Sequence, residues 1–133
     1  PAMEMCARSV ILSAGLVSLM ADDNYNCALA HAVCYGLQHF EHVEREYLHG
    51  DLVAYGALVQ LAVDGQLDKA RELRAFLVSL GTPVTLAQMR VPLEKTALHD
   101  ALIEATTGPD MAHIPYPVTQ DMVFDAMRRV ETL

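Results

Sequence analysis

Apolar positions along the chain recur at three- and four-residue spacing far more than by alternation. Leu67, Ala70, Leu73, Leu77 and Leu80 make one such stripe, and it predicts an amphipathic helix from Gln66 to Leu80. Gly81 follows the last apolar residue and Pro83 comes two residues later, a helix stop written in sequence. The longest apolar run, Val10 to Ala21, lies in a helix expected from Glu4 to Met20; too short to span a bilayer, and preceded by acidic Glu4 with no basic cluster, it reads as a buried helix in preference to a signal-peptide core. A polar break at Ala21-Asp22-Asp23-Asn24 can cap a second helix over Asn26 to Glu44. His49-Gly50-Asp51 opens a third to Val63, with Asp51 in its first turn, and Asp64-Gly65 is a turn. Thr85 to Met89 forms one short turn, Glu94 to Thr106 a further helix, and Met111 to Pro117 an extended loop. Thr119 caps the last helix, Gln120 to Glu131.

Strand signals are poor: no sustained alternation and no Asn-Gly or Asp-Gly hairpin turn between β-branched runs. Between Pro1 and Pro83 there is no proline at all, which leaves that stretch free to be helical. The pattern therefore predicts one all-α domain of five or six helices spanning residues 1–133.

Composition narrows the function classes. Hydrophobic residues make up 53% of 133, enough for a core and too many for a disordered segment. Nine Lys and Arg against 17 Asp and Glu give a net charge of −8, which argues against nucleic acid or an anionic membrane as partner. Cys6, Cys27 and Cys34 form no Cys-x-x-Cys pair. That argues for a reducing compartment, hence the cytoplasm. The chain opens on Pro1 rather than Met, as a trimmed or excised piece would.

Six histidines is a high count, and His31, His39, His42 and His49 crowd into one stretch. On an unbroken helix Cys27, His31, Cys34, Gln38 and His42 would share one face. Three readings stay open. The histidines and cysteines pack as satisfied core groups. Alternatively, Cys27, His31 and Cys34 hold a structural zinc, although the short hooks of such sites are missing. In the third reading, His31 and His49 bind one ion from two elements. Their separation of 18 residues, ~27 Å along a continuous helix, requires the chain to reverse between them. Elsewhere Met111, Met122 and Met127 read as core filler, His99 as a solvated helix residue, and Glu41 to Glu46 as an exposed charged face. Tyr35 and Tyr55 read as buried packing near the histidines.

His31-Ala-Val-Cys-Tyr-Gly36-Leu, followed by His49-Gly50-Asp51-Leu-Val-Ala-Tyr-Gly56-Ala-Leu-Val-Gln60-Leu, resembles the C-terminal helical domain of glycerol dehydrogenase. That family sits in the iron-containing alcohol dehydrogenase superfamily with dehydroquinate synthase. Gly81-Thr-Pro83-Val-Thr85-Leu86 and His113-Ile-Pro115-Tyr-Pro117-Val-Thr119 match further family segments in order, the second one residue shorter. The resemblance covers about residues 10–130. It implies that His31 and His49 are ligands of a catalytic Zn²⁺ (or Fe²⁺), and that His113 can face the cleft. It implies oxidation of a small polyol by hydride transfer to NAD. The family's aspartate ligand and glycine-rich pyrophosphate loop belong to an N-terminal α/β domain. No Gly-x-Gly-x-x-Gly occurs here, and nothing in the resemblance makes Asp22 or Asp23 a substitute ligand. Asp51 stands where the family has Glu. As an isolated piece, the chain is expected to bind metal weakly, to turn over no alcohol and to self-associate through surface a partner domain would cover. The alternatives are a helical domain without chemistry, serving assembly or small-ligand binding, and a related dehydrogenase acting on a hydroxy acid or sugar phosphate.

Overall fold

In the computed structural model, which describes all residues except 22–24 and 26, the described residues are helical with no strand. The helices are α1 (Ala2–Met20), α2 (Leu29–Leu37), α3 (Glu41–Glu46), α4 (His49–Val63), α5 (Leu67–Leu80), α6 (His99–Thr107) and α7 (Gln120–Val130). A 3₁₀ turn, Pro109–Met111, follows α6. The all-α expectation is thus met.

Local chemistry explains the ends. Gly81 takes φ 76°, where a Cβ would be strained. Its N–H and that of Thr82 then close onto the carbonyls of Val78 and Leu77 at 3.1 Å each, the double closure that ends helices at glycine. Thr119 Oγ1 accepts from Met122 N–H at 3.3 Å, so α7 starts where the threonine predicts.

α2 is the centre of the molecule. It lies between α4 and α6, and α4 also packs against α5 and α7. Leu29, Val33 and Leu37 from α2 meet Leu52, Tyr55, Leu58 and Val59 from α4 and Leu102 from α6 in one core, all of them fully or almost fully buried. Each such side chain contributes about 1.5–3 kcal/mol on burial. α4 is buried on more than one side because it has three partners, so its apolar residues form no single stripe.

Two glycines set how close these helices come. A Cβ on Gly56 would lie 2.1 Å from the Ala30 carbonyl oxygen, and one on Gly36 would lie 2.5 Å from that of Ala101. Backbone therefore touches backbone at the α4–α2 and α2–α6 crossings.

Four expectations are corrected. The second helix does not run from 26 to 44. It ends at Leu37, turns through Gln38 to Phe40 and restarts as α3, because Phe40 packs on the core and His42 Nε2 donates to the Met89 carbonyl at 3.0 Å. α6 begins at His99 rather than Glu94, after a turn closed by Leu98 N–H onto the Glu94 carbonyl at 2.9 Å. α1 buries none of its residues; Leu19 is 84% exposed. The buried-helix reading of Val10 to Ala21 therefore fails. Starting at Ala2, the helix has 19 residues. By length and composition it is long enough to cross a bilayer, a test that a signal sequence near an N-terminus also passes. Tyr55 is in the core, but Tyr35 is not buried. The cap expected from Asp22 to Asn24 lies outside the described residues.

The backbone contacts make a direct prediction. Gly56→Ala and Gly36→Ala should each destabilise the fold by about 1–3 kcal/mol or more in urea unfolding. Gly15→Ala, with nothing within 4 Å of its Cβ, should not destabilise it.

Candidate functional site

His31 is the third residue of α2 and His49 the first of α4. Both stand at the starts of helices, and both starts are held by side-chain acceptors. Gln60, one turn from the end of α4, accepts the Ala30 N–H through Oε1 at 3.1 Å. This gives an acceptor to one of the backbone N–H groups that a helix start leaves unpaired. Asp51 Oδ2 accepts the Leu48 N–H at 3.3 Å and fixes the turn on which His49 sits. Asp51 therefore has a structural task.

The chain reversal between residues 38 and 48 brings the two imidazoles together, with ring centroids 5.6 Å apart at 45°. Two imidazoles on one tetrahedral zinc, with Zn–N bonds of ~2.0–2.1 Å, have centroids about 5–5.5 Å apart. Tyr35 completes a three-ring cluster, 6.5 Å from His31 and 5.8 Å from His49. Tyr35 is 39% exposed and His49 is exposed as well, so the cluster opens to solvent. On the other side Cys34 is fully buried, its Sγ 3.5 Å from His49 Nδ1 and 3.9 Å from the His49 carbonyl oxygen.

The electrostatics at His31 favour an unprotonated ring. Burial lowers the His31 pKa, the neighbouring His49 lowers it further, and Asp110 opposes both. The balance keeps His31 an unprotonated imidazole near neutral pH, the form that binds metal. Burial, then Asp110, pushes the Cys34 thiol up to about 11, so it stays protonated. Tyr35 is raised mainly by burial, with Asp110 next. Asp110, on the 3₁₀ turn packed against α2, is the one charged side chain buried among the described residues.

The other candidates lie elsewhere. His39 is exposed, and His42 is engaged by Met89. His113 stacks on Tyr25 at 3.7 Å. His99 is exposed, as expected. Among the described residues no group of three or more His, Cys, Asp or Glu side chains is arranged to hold a metal. That removes the Cys27–His31–Cys34 zinc reading. The two imidazoles fit a metal as far as they go, and a third protein ligand is not among the described residues.

Sequence reasoning misses two contributors and gives a third another task. Cys34, a zinc candidate by helical spacing, instead reaches His49 across elements. Asp110 sits in a Gly-Pro-Asp turn that reads as surface. Gln60 stood in a recognised motif without an assigned task.

The fold and site define an all-helical domain carrying an imidazole pair between two helix starts. No protein-family model matches the chain. It is 34% identical over 126 residues to hydroxycarboxylate dehydrogenase A of Escherichia coli K12, covering 93% of this chain and 34% of that protein. It is 32% identical over 103 residues to glycerol dehydrogenase of Pseudomonas putida, 75% of this chain and 28% of that protein. Glycerol dehydrogenase of Thermotoga maritima is 30% identical over 136 aligned residues, 98% of this chain and 35% of that protein. The chain is thus a homologue of the glycerol and hydroxycarboxylate dehydrogenases, and it spans about a third of the length of these relatives.

The Gln60 contact is testable on its own. Gln60→Leu leaves the Ala30 N–H without its acceptor and should destabilise the fold by about 1–3 kcal/mol in chemical denaturation. Gln60→Glu, which keeps an acceptor, should lose less.

Proposed function

We propose that this chain is the helical, metal-binding part of an NAD-dependent dehydrogenase acting on a small polyol, with His31 and His49 as its ligands to Zn²⁺ (or Fe²⁺). The observation that supports this most is the approach of two imidazoles 18 residues apart in sequence, from two helix starts, to a spacing suited to one ion. A catalytic zinc has three protein ligands and one position open to water or substrate. The third ligand and most NAD contacts would come from an α/β domain like that of the family, as would a share of the substrate contacts. When bound, the metal would polarise the substrate hydroxyl and stabilise its alkoxide during hydride transfer to the nicotinamide.

The chain's own residues have separable tasks in this reading. His31 offers an unprotonated nitrogen, and His49 joins it from the start of α4. Tyr35 packs beside both rings at the open side. Asp110 places a buried negative charge whose field favours a cation at His31. A cytoplasmic setting accords with the absence of a disulfide among the described cysteines. A hydroxy acid as substrate is the second reading, favoured by the 34% identity to a hydroxycarboxylate dehydrogenase. The apolar exposure of α1 favours self-association of the isolated chain.

Elemental analysis after zinc loading and desalting tests the ligand pair. The wild-type chain should retain more zinc than His31→Ala or His49→Ala; equal content in all three would refute the pair as ligands. The 133 residues alone should form no NADH from glycerol, because the nucleotide-binding loop is not among them.

A further inference from the structure

Cys34 makes two contacts with one residue: its Sγ stands 3.5 Å from His49 Nδ1 and 3.9 Å from the His49 carbonyl oxygen. A thiol has a single proton, and a carbonyl oxygen only accepts. With one proton on sulfur, a single arrangement makes each contact a separate two-centre hydrogen bond. The thiol S–H must donate to the carbonyl, and His49 Nδ1–H must donate to the sulfur. A neutral imidazole that carries its proton on Nδ1 has a free lone pair on Nε2, and only a bare nitrogen can ligate a metal.

We infer that Cys34 is a positioning residue that holds His49 in the Nδ1–H form, with Nε2 free as the ligand nitrogen. The metal part of this inference rests on the ligand reading proposed above; the tautomer part does not. Metal-bound histidines ordinarily send their second N–H to a carboxylate, a carbonyl or water. Here a buried sulfur takes that place. Because Cys34 is fully buried, it is held in place by the core, and α2 thereby orients a ring that belongs to α4.

Long-range ¹H–¹⁵N correlation NMR of the full chain, labelled with ¹⁵N-histidine and recorded above the imidazole titration, reads the tautomer directly. His49→Gln assigns the signals. The inference expects a protonated Nδ1 and a bare Nε2 for His49 in the wild type. A protonated Nε2 would overturn it. Cys34→Ser, whose hydroxyl both donates and accepts, should keep the tautomer, and Cys34→Ala should lose it.

Zinc alone, titrated against a chelator, gives the second readout. Cys34→Ala should bind about ten- to a hundredfold more weakly, with Cys34→Ser within a few-fold of wild type. Wild-type affinity in Cys34→Ala would overturn the positioning role. Unchanged affinity in His31→Ala would instead overturn the underlying ligand reading, while the tautomer result still decides the contact between Cys34 and His49.

Discussion

Everything at the candidate site depends on how closely α2 can approach its neighbours. At Gly56 and Gly36 there is no side chain between the helix backbones. A single added carbon would sit 2.1 Å from one carbonyl oxygen and 2.5 Å from another. Ala30, touched by Gly56, adjoins His31. His49 lies two turns back along α4 from Gly56. The spacing of the imidazoles is therefore set by a backbone contact in the core. A shift of α4 by one methyl group would be felt at the rings, because packed interiors do not absorb it.

Around that contact, polar side chains hold the two helix starts. Gln60 serves the start of α2 and Asp51 the start of α4. Cys34 engages His49 from within the core, and Asp110 lends α2 a buried negative charge. The same burial that keeps Cys34 a thiol keeps His31 unprotonated. Two groups that elsewhere titrate or react are thus held in the forms a metal-binding pair and its support need.

Much of this was legible in the sequence where a residue type dictates a backbone conformation. Gly81 ended α5, Thr119 started α7, and the described residues of the long proline-free stretch were mostly helical. Gly36, Gly56, His31 and His49 stood out through the order of motifs rather than through spacing. The break between α2 and α3 did not stand out. Gln38, His39 and Phe40 are compatible with helix, and the turn is selected by tertiary contacts such as that of His42 with Met89. Likewise, α1 has the composition of a buried helix and is exposed, because hydrophobicity states a need for cover and not what provides it. Asp110 and Cys34 gained meaning only from neighbours distant in the chain.

The central claim is that His31 and His49 converge on one metal ion. X-ray absorption at the zinc edge of the zinc-loaded chain tests it most directly. Two imidazole nitrogens at ~2.0–2.1 Å, with no sulfur scatterer, is the predicted first shell. Scattering from sulfur at ~2.3 Å, or a shell with no imidazole, would contradict it.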